Sequence, residues 1–171
     1  MAVGVIEALR SFNIVVDVDS IRAGLYNTVW PGRCEIISDE PLIVLDGAQN
    51  IASSRVLKET IKENFSAESP VGRKYNRLTL VLGISIDKDI KGICGVLYDL
   101  ADRVILTRAD NPRAAPPEIL AKHFDGKEVY VTHNVKEARD KAEEITEKED
   151  LILVCGSLFV VGEFRNGKIR Y

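Results

Sequence analysis

At 171 residues and 46% apolar composition, the chain is long enough to bury about 70% of its unfolded surface, which suits one packed domain plus an appendage. Its 23 Lys and Arg against 26 Asp and Glu leave a net charge of −3, with the signs mixed along the chain, so a nucleic-acid footprint is not expected. The longest apolar run falls well short of the ~20 residues of a membrane helix, and no cationic segment precedes Val3 to Ile6, so no membrane partner and a cytoplasmic location are expected.

Residues 2–12 and 18–28 read as two short helices, the second with Ile21 and Leu25 on one face and Asp17 or Asp19 as its N-cap. From Arg33 the pattern changes to strands at 33–38, 42–46, 78–83, 103–107, 128–132 and 151–155, with helical periodicity between most of them. Ile90, Ile93, Cys94 and Leu97 are spaced i, i+3, i+4, i+7, and Val135, Ala138, Ala142 and Ile145 also follow one helix face. Such alternation predicts a Rossmann-like α/β fold, a mainly parallel sheet with helices on both faces. Only the first two strands should pair antiparallel, because residues 38 to 42 leave no room for a crossover helix. Residues 66–76, with Pro70 and Gly72, read as a surface loop. Cys34, Cys94 and Cys155 are odd in number and widely spaced, which suits neither disulfides nor a CxxC metal site; all three are expected to be reduced core thiols.

Several residues stand where chemistry is usually carried. Pro41-Leu-Ile-Val-Leu-Asp46-Gly47 reads as a buried strand ending in a ligand loop, at the carboxyl edge where open α/β sheets bind ligands. Asp46 there could accept hydrogen bonds from a ribose diol, or could serve as a turn or cap residue. Gly47 would allow close backbone approach, and Asn50 can cap a helix containing Val56, Leu57, Ile61 and Phe65. Arg33 leaves a Pro-Gly turn, and by itself reads as a surface cation. Ser157, after Gly156 at the end of the last strand, is either an anion site or an ordinary N-cap. Asp87-Lys88-Asp89 follows another strand end and by itself reads as a solvated charge cluster. His123 and His133 lack any recognisable catalytic or metal spacing.

Trp30-Pro-Gly-Arg33 followed by Asp46-Gly-Ala-Gln-Asn50 resembles the opening of the C-terminal domain of folylpolyglutamate synthases, relatives of the Mur ligases, with Gln49 in place of the usual histidine. Leu82-Gly-Ile-Ser-Ile-Asp-Lys-Asp89, Ala101 to Thr107, Pro112-Arg-Ala114 and Val154 to Glu163 are similar to the family's later landmarks, in order. The resemblance implies that residues 1–28 are the tail of a preceding central domain with linker helices, and that 29–171 form a Mur-ligase-type C-terminal domain. It implies an ATP-dependent ligase that adds L-glutamate to folate through an acyl phosphate, either a folylpolyglutamate synthase alone or the bifunctional form that also has dihydrofolate synthase activity on dihydropteroate. Arg33 would be catalytic, reaching the ATP phosphates; Arg33 and Asp46 would bind ATP; Gln49, Lys88 and Ser157 would face glutamate. No G-x-x-x-x-G-K-[ST] phosphate loop occurs in the chain, so Mg and its ligands are expected in the central domain, against which this domain would close, and the chain by itself is expected to be a monomer without turnover. The alternative is a stand-alone nucleotide or anion-binding module, or a non-catalytic interaction domain.

Overall fold

Apolar runs too short for helices alternate with helix-period segments, and they assemble as one sheet packed on both faces. The computed structural model describes residues 2–65 and 74–166. It divides into two compact units, Met1–Pro31 and Gly32–Tyr171.

The first unit holds α1 (Ala2–Leu9), a 3-10 turn at Arg10–Phe12 and α2 (Val18–Tyr26). Asp17 caps α2 by accepting the Ser20 N–H at 2.8 Å. Neither helix contains a buried residue.

The second unit runs β1 (Glu35–Asp39), β2 (Leu42–Leu45), α3 (Ile51–Phe65), β3 (Leu78–Leu82), α4 (Ile90–Leu97), β4 (Arg103–Leu106), α5 (Pro117–Ala121), β5 (Glu128–Val131), α6 (Val135–Ile145), β6 (Leu151–Cys155) and α7 (Leu158–Asn166). The strand order is β1-β2-β6-β3-β4-β5. As expected, β1 and β2 are antiparallel and every other neighbouring pair is parallel. The first strand begins two residues later than the sequence pattern suggests, because Gly32 and Cys34 have φ of 69° and 46° and turn the backbone ahead of it. Of the expected loop at 66–76, residues 66–73 lie outside the described residues.

Side-chain alternation along the buried strands feeds two cores. Leu42, Val44, Leu80, Leu82, Leu151 and Leu153 pack with Leu57, Ile61, Ile93 and Leu97 on one face. Ile43, Leu45, Val81, Ile152 and Val154 pack with Ala138, Ala142, Val161 and Phe164 on the other. The central strands β2, β3 and β6 are buried at every residue, which explains their lack of polar alternation. Val56 departs from the expected apolar face of α3: it is 61% exposed, while Leu57, Ile61 and Phe65 are buried.

The cysteine expectation needs one correction. Cys94 and Cys155 are buried core thiols, but Cys34 is only half-buried, because it stands in the turn ahead of β1. Burial pushes the Cys94 thiol up to about 12 and raises Cys155; Cys34 is raised by desolvation and then by the Asp46 carboxylate. Thiolate is the reactive form, so a raised pKa means a protonated, slow thiol at neutral pH. Alkylation followed by mass spectrometry on the native protein should therefore label Cys34 first as pH is raised, with Cys94 and Cys155 labelled only after unfolding. Labelling of Cys155 at the rate of Cys34 would contradict this packing.

Candidate active site

The carboxyl end of β2 and the turn before β1 are bound to each other through the Asp46 carboxylate and through backbone groups. The Asp46 carboxylate accepts the Cys34 N–H at 2.9 Å through Oδ2 and the Ala48 N–H at 2.7 Å through Oδ1. The Gly47 N–H is donated to the Gly32 carbonyl at 2.8 Å, the same oxygen that accepts Arg33 Nη1 at 3.1 Å. A Cβ on Gly47 would stand 2.3 Å from Arg33 Nη1 and 2.3 Å from Leu158 Cδ2. Glycine at 47 therefore leaves the space across which the guanidinium lies, which is the close approach expected of it.

Both Asp46 oxygens serve the loop, and each retains a second lone pair. Asp46 is thus the turn residue that one reading of its sequence position expected, and its carboxylate keeps acceptor capacity on the cavity side.

Asn50 caps α3 as expected: its Oδ1 accepts the Ser53 N–H at 2.8 Å. In return, Ser53 Oγ accepts the N–H groups of Gln49 and Asn50, each at 3.2 Å. This reciprocal arrangement works like a capping box and holds Gln49 at the mouth of the helix. Arg33, Cys34, Asp46, Gly47, Gln49, Asn50 and Thr60 all line one cavity of about 370 Å³. Three of the five sequence candidates, Arg33, Asp46 and Gln49, therefore share a wall. It combines a guanidinium, a carboxylate and the N-terminal end of a 15-residue helix, an end that favours anions.

Ser157 and Lys88 lie elsewhere. Ser157 is 5% exposed, and its Oγ accepts the Phe159 N–H at 3.2 Å, so it caps α7. It lines a crevice of only about 10 Å³ with Gly83, Ser85 and Asn111. Lys88 Nζ lies 3.2 Å from Asp87 Oδ2, and the same oxygen is 2.7 Å from Arg113 Nη2. The hydrogen bond from Arg113, more than that from Lys88, holds the Asp87 carboxyl below its ordinary range. Lys88 thus belongs to a small surface ion cluster that also contains the landmark Arg113. Thr107, the neighbouring landmark, is fully buried, and its hydroxyl has no partner among the described residues.

A second, larger cleft of about 600 Å³ opens past β4 and β5, lined by Arg108, Asp110, Asn111, His133 and Asn134 among others. Sequence reading gave none of these a role. Their signal was position alone: each follows an apolar strand at the same edge of the sheet.

An open, mainly parallel sheet covered by helices on both faces, with three cavities along its carboxyl edge, defines an α/β domain whose strand ends face the edge where such sheets bind ligands. The family described as Mur ligase, glutamate ligase domain matches residues 32–158, and the chain belongs to that family. It is 37% identical over 153 residues to a Haloferax volcanii protein named "Probable bifunctional folylpolyglutamate synthase/dihydropteroate synthase", covering 88% of this chain and 17% of that protein. Among solved structures, E. coli FolC in complex with DHPP and ADP superposes with a TM-score of 0.82 at 30% identity, covering 94% of this chain and 36% of FolC. A bifunctional folylpolyglutamate synthase/dihydrofolate synthase with Mn, AMPPNP and L-glutamate bound matches at 0.78 and 25%, covering 91% of this chain and 36% of that one. The chain thus spans about a third or less of the relatives it matches. Among the described residues no helix is long and apolar enough to cross a membrane.

Proposed function

We propose that this chain is the C-terminal domain of an ATP-dependent ligase that adds L-glutamate to folate, with dihydrofolate synthesis from dihydropteroate as its second capacity. In this reading a substrate carboxylate attacks the γ-phosphorus of ATP, ADP departs, and an acyl phosphate forms. The amine of glutamate then attacks the acyl carbon, phosphate leaves, and the amine proton passes to solvent or a nearby base. The observation that carries the reading is the convergence of Arg33, Asp46 and Gln49 on one cavity at the carboxyl end of β2. A guanidinium matches phosphate oxygens and offsets their growing charge, while Asp46 retains acceptor capacity for a ribose hydroxyl.

Residues 1–28 would be the end of the central ATPase domain with its linker, and 29–171 the domain that closes against it. Mg and its ligands would belong to the central domain, with the phosphate-binding loop of the family. The domain alone would be monomeric, cytoplasmic and without turnover.

Gln49, Lys88 and Ser157 are assigned to the glutamate side. In the full-length ligase, alanine at any of the three should raise the KM for glutamate more than that for ATP, by the ~1.5–3 kcal/mol of a hydrogen bond to a charged group. Ser157→Ala should also cost about 1 kcal/mol of stability through loss of the α7 cap. Steady-state kinetics with each substrate varied decide it: equal changes in both KM values would remove these residues from glutamate binding.

A further inference from the structure

The turn that carries Arg33 is held from below by a residue to which no role has been given. Glu35, the first residue of β1, accepts the Gly32 N–H at 2.8 Å through Oε2 and Arg165 Nε at 3.0 Å through Oε1. Its side chain is only 16% exposed, and that of Arg165, in the last turn of α7, is 35% exposed. One carboxylate therefore ties the Arg33 turn to the far end of α7. The near end of the same helix touches the turn as well: a Cβ on Gly32 would lie 3.0 Å from Val161 Cγ1 and 3.7 Å from Leu158 Cδ2.

The need for such a tie is visible in the backbone. Arg33 stands between two residues with positive φ, Gly32 at 69° and Cys34 at 46°. A non-glycine residue in that region persists only where its surroundings impose it. Asp46 holds the turn on the Cys34 side, and Glu35 holds it on the Gly32 side.

We infer that Glu35, braced by Arg165, is a positioning residue for Arg33: it fixes the turn so that the guanidinium is already aimed into the cavity. The inference rests on Arg33 acting at the phosphates, as proposed above. A displacement of about 1 Å at a catalytic group can cost up to ~100-fold in rate, so Glu35→Ala in the full-length ligase should lower kcat by ~10- to 100-fold, with little change in the KM for glutamate. Glu35→Gln keeps an acceptor for Gly32 while removing the charge opposite Arg165, and it should recover much of the loss. The decisive readout is a double-mutant cycle: in an Arg33→Ala background, Glu35→Ala should have almost no further effect on kcat. Hydrogen exchange of the peptide spanning residues 31–36 should show faster exchange in Glu35→Ala.

Full additivity with Arg33→Ala, or unchanged exchange at the turn, would overturn the inference. If instead Arg33→Ala keeps wild-type turnover while Glu35→Ala accelerates exchange, Glu35 restrains the turn, but the assignment of Arg33 to the phosphates fails and the positioning role fails with it.

Discussion

Replacing Arg33 by alanine in the full-length ligase is expected to lower kcat by ~10²- to 10³-fold, about 3–4 kcal/mol of transition-state stabilisation, while leaving the domain folded. The size follows from what the guanidinium would do. Negative charge spreads over the phosphoryl oxygens during transfer, and a pre-placed cation lowers the energy of that state without reorganising solvent. The fold tolerates the loss because Arg33 is a solvent-exposed residue. The turn around it is held by Glu35, Asp46 and Gly47 through the backbone amides and carbonyl of its neighbours. Arg33→Lys should recover only part of the rate, since a point charge replaces a planar fork. Single-turnover acyl phosphate formation is the measurement, with thermal melting as the control for folding. Wild-type turnover by Arg33→Ala would remove Arg33 from the chemistry.

The largest loss of stability is expected from Gly156→Ala. Gly156 directly follows β6 with φ of 97°, in a region that side-chain-bearing residues seldom occupy. A Cβ there would come within 2.5 Å of the Gly83 carbonyl oxygen and 2.7 Å of Leu82 Cδ1. The first of these is backbone at the end of the neighbouring strand β3, and it cannot rotate away. Gly83 has no slack to give, because its own Cβ position is 2.7 Å from the Thr107 carbonyl at the end of β4. Three strand ends are thus packed backbone to backbone. Backbone strain of ~1–3 kcal/mol plus the clash should reduce stability by about 3 kcal/mol or more and lower Tm by roughly 6–12 °C for a domain of this size. Thermal unfolding followed by circular dichroism tests this; a Tm within a degree or two of wild type would mean that the β6 end relaxes freely.

Local signals in the chain carried most of the architecture. Leu42 to Leu45, Leu78 to Leu82 and Leu151 to Cys155 are short apolar runs without alternation, and such runs have no stable place except inside a sheet covered on both faces. The short 38–42 connection made the first pair antiparallel, since no crossover fits in it. Asp17 and Asn50 announced their caps because a side-chain acceptor three residues before a free amide is a purely local interaction. The motifs around Arg33 and Asp46 both fall at the carboxyl edge of β2, as each sits next to a strand boundary.

Only the tertiary structure decided which strand ends meet. The order β1-β2-β6-β3-β4-β5 inserts the last strand between the second and third, a choice set by long-range packing that no local periodicity encodes. That order brings α7 beneath the Arg33 turn, so that Glu35 finds Arg165 130 positions away and Gly47 meets Leu158. It also separates candidates that looked equivalent along the chain. Gln49 faces the cavity with Arg33 and Asp46, Ser157 caps a helix beside a narrow crevice, and Lys88 is paired with Asp87. Composition and spacing determine which segments become strands, helices and caps, because those depend on neighbours a few residues apart. Which side chains share a cavity depends on close packing between distant segments, and that is settled only when the whole sheet forms.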